Sequence, residues 1–175
     1  EKGVNATTEI AHAILALGKL ENSEHGTTVV PTLLHSGNTT NTVPDLAVLD
    51  VDARSFSQAE LERVDREIKA LTAVNPAARL EITGGLNRPP LQPSSTKALY
   101  ERAEKVAAAI GMKPLGRAEV GGASDGNFAA AAGAQVLDGL GAVGGGAHAP
   151  SEWVSISSMQ ERSDFLHALI KDLLS

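Results

Sequence analysis

Apolar residues at Ile10, Ile14, Leu17 and Leu20 recur one helical turn apart, which predicts a helix over residues 5–20 capped by Asn5 or Thr7. A polar turn follows at 22–26. Alternation over 27–35 then predicts a strand, closed by Ser36-Gly37-Asn38. A second, longer strand is expected over 42–54, with Ala47, Leu49, Val51 and Ala53 on one face and Asp50, Asp52 and Arg54 on the other. Ser57-Gln58-Ala59-Glu60 has the form of a capping box. The helix behind it places Leu61, Val64, Ile68 and Leu71 on one side. Residues 78–83 read as a third strand, ended by Gly84-Gly85. Helix, strand, strand, helix, strand is the split ferredoxin-like unit without its first strand. The sequence therefore reads as clipped, with that strand expected just before Glu1.

The proline-rich run Arg88–Pro93 marks a boundary, giving one domain over 1–88 and another over 89–175. The second domain opens with a helix over 95–110, with Leu99, Ala103, Val106 and Ile110 inward and Gly111 as its stop. A glycine-rich loop runs into an alanine-rich helix between Gly121 and Gly133. A short apolar strand is expected over 135–140, then a glycine-rich loop over 141–150 that carries His148. A second capping box, Ser158-Met159-Gln160-Glu161, would open a last helix holding Phe165, Leu166, Leu169, Ile170 and Leu173. The fold class is mixed α/β (α+β), in two domains.

Charge narrows the functions open to the chain. Fifteen basic against 21 acidic residues leave a formal charge of −6, opposite to what a nucleic-acid or polybasic membrane surface needs. No apolar run approaches the ~20 residues of a spanning helix. The N-terminal residues do not have the form of a signal peptide, and the cytoplasm is the default expectation. Cysteine is absent, so any metal must be held by His and carboxylate.

Three segments offer chemistry. His148 lies in Val143-Gly-Gly-Gly-Ala-His-Ala-Pro-Ser-Glu152, where a flexible approach suits metal ligation and Glu152 could orient the second ring nitrogen. The plain alternative is a solvated loop histidine. Ser124 or Asp125, in Gly121-Gly122-Ala123-Ser124-Asp125-Gly126-Asn127, could cap a helix whose free amides bind an anion; the alternative is an ordinary capped turn. Asn41, in the Gly37–Pro44 turn, and Arg54 could grip a carboxylate together from neighbouring positions of one sheet. Against this stands a hairpin turn with an exposed strand arginine. His12, His25, His35 and His167 lack partners at ligand spacing and are expected to be surface or otherwise satisfied residues.

In order, Gly3-Val4-Asn5-Ala6, Gly37-x-x-x-Asn41-x-Val43-Pro44, Asp52-x-Arg54, Gly121-Gly122-x-Ser124-Asp125 and Gly145-x-x-His148-x-x-x-Glu152 resemble the aminoacylase and glutamate-carboxypeptidase (carboxypeptidase G-type) family of co-catalytic zinc hydrolases. The resemblance runs from about residue 3 to the end. It implies that 1–88 is a lid that also forms a homodimer, and that 89–175 is the last part of a zinc-peptidase catalytic domain. His148 would be a terminal ligand to one of two zinc ions, with cobalt or manganese also compatible. Arg54 would meet the substrate carboxylate, Asn41 the reacting carbonyl, and Ser124 and Asp125 would line the site. The reaction implied is hydrolysis of the amide bond of a C-terminal or N-acyl amino acid. One ligand cannot hold two metals, so this chain alone is expected to be inactive. Two other expectations stand beside it: a non-catalytic dimerisation module, and a binding protein using the Ser124 helix end for an anion.

Overall fold

The computed structural model describes residues 3–175 and divides into two units, Glu1–Pro90 and Leu91–Ser175. In the first unit, α1 (Ala6–Leu17) starts because the Asn5 side-chain oxygen accepts from the amides of Thr7 at 2.9 Å and Thr8 at 3.2 Å. A short 3-10 turn, Gly18–Leu20, ends it. Strands β1 (Thr28–Ser36) and β2 (Ala47–Arg54) pair antiparallel, from Thr28 opposite Arg54 to Ser36 opposite Ala47, with a register shift between Pro31 and Leu33. Helix α2 (Gln58–Lys69) follows.

Leu17, Leu20, Val29 and Val64 form the core, with Leu49, Val51, Ala53, Ile68 and Leu71 packed on it. These are the apolar faces that periodicity predicts for both helices and for the second strand. The opposite face of the hairpin leaves Val30, Leu33 and Val48 about half exposed.

Three expectations are corrected in this unit. The second strand begins at Ala47 rather than residue 42. Pro44 has no amide to give a ladder, and its carbonyl instead accepts from Ala6 N at 3.0 Å, fastening the loop to the start of α1. The capping box is half made: Ser57 Oγ accepts from Glu60 N at 3.4 Å, but the Glu60 carboxylate is taken by Asn22, Thr27 and Arg63. Residues 78–83 form no strand. Ala78, Leu80 and Ile82 stay half-buried while Arg79 and Glu81 point outward, so the alternation persists, but β2 does not pair with them.

The second unit is built on α3 (Pro93–Ala109), with proline in its first turn, and α5 (Ile156–Leu173). Ala103, Val106 and Ala107 of α3 enclose Phe165 and Leu169 of α5, and Met112, Leu115, Leu137 and Leu140 pack around them. Gly111, in the left-handed region, stops α3, and Met112 N returns to Ala107 O at 2.9 Å. Between the two lie the six-residue α4 (Gly126–Ala131) and a two-rung hairpin, β3 (Gly144–Gly145) with β4 (Trp153–Val154).

Here too the pattern misplaces details. Ile110 is 44% exposed because the helix has ended. Residues 135–140 pair with no strand; Val136 N donates to Ser95 O at 2.8 Å, and Leu137 and Leu140 serve the core. The last helix opens at Ile156, two residues before the predicted box. Ser158 lies inside its first turn, and its hydroxyl donates to Ser155 O at 2.8 Å. Among the described residues no helix is long and apolar enough to cross a membrane.

Candidate functional site

In the first unit, Arg54 ends β2, and its guanidinium lies on Asp52, with Nε 2.7 Å from Oδ2. That hydrogen bond, with the neighbouring negative charge, raises its pKa further, so it is a fixed cation beside one carboxylate. Asn41 is exposed in the turn between the strands. The seven residue steps from Ala47 to Arg54 span ~23 Å at the strand rise of ~3.3 Å. The paired grip of Asn41 and Arg54 on one carboxylate from neighbouring positions is therefore corrected: within a protomer they stand at opposite ends of the hairpin.

Below the hairpin, Glu60 is the main polar anchor. It accepts from Thr27 Oγ1 at 3.1 Å, Asn22 Nδ2 at 3.3 Å and Arg63 Nη2 at 2.8 Å. Chiefly through the Arg63 hydrogen bond, its pKa falls to about 2. Arg63 also donates to Leu20 O at 2.8 Å, tying the end of the first helix to the second. This network is structural.

In the second unit the Gly121–Gly126 loop is closed by its own side chains. Ser124 Oγ accepts from Gly126 N at 3.1 Å, and Asn127 Oδ1 accepts from Ser124 N at 3.0 Å. Asn127 is buried, and sequence reasoning passed over it; its position three residues past Ser124 is the available signal. Asp125 occupies the cap position of α4 without a side-chain capping bond. Ser124 and Asp125 adjoin as expected; the amides of Ser124 and Gly126 are held by side chains of the segment itself, and α4 is six residues long.

His148 sits at the tip of the hairpin and is exposed. Ala149 N donates to Gly146 O at 2.9 Å, so residues 146–149 make a tight turn with His148 third, at φ 65. It is the one non-glycine residue with positive φ among those described. Such a conformation costs an imidazole-bearing residue ~1 kcal/mol and persists where the surroundings impose it. At the rung below the turn the strands are close, since a Cβ on Gly144 would lie 2.2 Å from Trp153 O. Glu152 does not orient the ring: its amide bonds Ala149 O, and no side-chain bond joins it to His148. His12, His25, His35 and His167 are exposed, as expected.

As donor chemistry, His148 fits one position of a metal site. Among the described residues no three His, Asp or Glu cluster to complete one. The described residues do not make a metal centre by themselves.

Residues 1–78 match the family model described as the peptidase dimerisation domain of the M20 peptidases. The chain is 27% identical over 181 residues to carboxypeptidase G2 from Pseudomonas sp. (strain RS-16), covering 99% of this chain and 43% of that protein. In fold it is similar to the Bacillus subtilis YXEP protein, a dinuclear metal-binding peptidase of the M20 family, with TM-score 0.65, 17% identity, 95% of this chain and 45% of that one. It is likewise similar to aminopeptidase PepT from Bacillus cereus, with TM-score 0.63, 22% identity, 99% of this chain and 47% of that one. The resemblance read from the five sequence motifs is thereby borne out. The chain spans less than half the length of each of these relatives.

Proposed function

We propose that this chain is the lid and the C-terminal catalytic portion of a longer metal-dependent exopeptidase or amidohydrolase. The observation that carries the reading is the likeness to carboxypeptidase G2 along 99% of the chain but only 43% of that protein. Residues 1–88 act as lid and dimer-forming domain, and 89–175 complete a catalytic domain. His148 supplies one terminal ligand to a zinc ion, or to cobalt or manganese. When bound, the metal supplies a polarised carbonyl and an acidified water.

This chain's own residues bind and orient. Arg54 presents a guanidinium to a substrate carboxylate, which selects C-terminal or N-acyl amino acids. Asn41 offers an amide to the reacting carbonyl, and Ser124 and Asp125 shape one wall. Because Arg54 and Asn41 are a strand apart, they serve different parts of the site rather than one fork. Alone, with a single ligand, the 175-residue chain has no hydrolytic activity.

The test is hydrolysis of N-acyl amino acids and of dipeptides by the longer polypeptide, beside the 175-residue chain. Metal-dependent activity confined to the longer form supports the reading. Equal activity in both, or none in either with metal supplied, overturns it. A second reading, a dimerisation module without catalysis, is favoured by the dimerisation-domain match and by the half-exposed Val30, Leu33 and Val48. A tight dimer whose longer form neither binds metal nor hydrolyses amides would select it.

A further inference from the structure

We propose that Arg162 is a positioning residue that holds the hairpin bearing His148 by strapping the segment that leads into it. Arg162 is half-buried on α5, and among the described residues it pairs with no carboxylate. Its guanidinium binds backbone instead: Nε donates to Gly141 O at 3.0 Å and Nη2 to Gly139 O at 2.5 Å. A planar guanidinium can donate from two of its nitrogens to two carbonyls at once.

Farther along the same segment, Val143 O accepts from Ser155 N at 2.8 Å. Both donors belong to the start of α5, Ser155 at its cap and Arg162 two turns in. The carbonyls of Gly139, Gly141 and Val143 are thus tied to α5 and its cap, and the chain passes directly into the Gly144–Gly145 rungs and the His148 turn. Gly139 itself has φ 72, so the strapped segment starts from a bend that would otherwise be loose. Burying an arginine stem to bind two carbonyls is a stronger use of the charge than a neutral donor could make. The value of this to catalysis rests on the reading of His148 as a ligand; the strap itself does not.

The experiment is amide hydrogen exchange by NMR on the 175-residue chain as native, Arg162→Gln and Arg162→Lys, with the His148 backbone coupling recorded alongside. Removing the guanidinium is expected to speed exchange at Ser155 and Ala149 by roughly tenfold and to move the His148 coupling, with Leu169 in the same helix unchanged. Lysine, which can still donate to these carbonyls, restores most of the protection. Unchanged exchange at Ser155 and Ala149 in the glutamine variant overturns the proposal. A uniform rise along all of α5 in both variants overturns it too, since the residue then only stabilises the helix. Metal content of the longer polypeptide with His148 replaced tests the ligand reading separately, so the two can fail independently.

Discussion

Arg54 faces Thr28 in the rung of the hairpin farthest from Asn41, and its guanidinium rests on Asp52 two residues back. If Arg54 meets the substrate carboxylate as proposed, that carboxylate shares the guanidinium with Asp52. In the longer polypeptide, Arg54→Gln should raise KM for carboxylate-bearing substrates by roughly 10- to 100-fold, the range for losing a charge-assisted hydrogen bond, while kcat changes little. Asp52→Asn should lower KM. Steady-state kinetics on a substrate and its carboxamide analogue check both, because the amide should be insensitive to Arg54.

Glu60 sets an acid limit. Its folded pKa of about 2 lies below its ordinary value of 4.5, so its contribution is complete above pH 4.5 and is lost as pH falls toward 2. Glu60→Gln should flatten that part of the stability curve, seen in thermal melts between pH 5 and 2.

Phe165 is fully buried between α3 and α5. Phe165→Ala should cost ~3–5 kcal/mol, and Leu169→Ala ~2–5 kcal/mol. Denaturant titration following the second unit reads the loss.

His148 holds its ring at the expense of backbone strain. Replacing it by glycine should stabilise the hairpin by up to ~1 kcal/mol while removing the imidazole, so stability and metal content move in opposite directions. Gly144→Ala does the reverse of relief, because its Cβ meets the Trp153 carbonyl; hairpin amide protection should collapse.

What sequence made legible was the side of each element that faces its core: Leu17, Leu20, Val64, Phe165 and Leu169 are where periodicity places them. The edges were less legible, since a strand needs a partner as well as a pattern. Residues 78–83 keep their alternation but have no ladder, and residues 42–46 are drawn off by Pro44 and Ala6. Glu60 satisfied the motif for a capping box and was recruited by Thr27 and Arg63 instead, partners 33 residues away and three away. Arg162 gave no local sign at all, because the carbonyls it binds lie 21 and 23 residues earlier. His148 stood out by its glycine run, but its left-handed backbone belongs to the turn closed by Ala149 N on Gly146 O.

The oligomeric state tests the lid assignment. Sedimentation should find twice the 18.1 kDa chain mass at micromolar concentration, and a charge introduced on the outer hairpin face, such as Leu33→Glu, should leave the monomer's fold intact because Leu33 is 57% exposed.

The reading of His148 as a ligand is best tested by metal analysis of the longer polypeptide, native and His148→Asn, since asparagine tolerates the left-handed turn. Loss of about one metal ion per subunit with the dimer and fold preserved is the expected result. Full native metal content in the variant would contradict it.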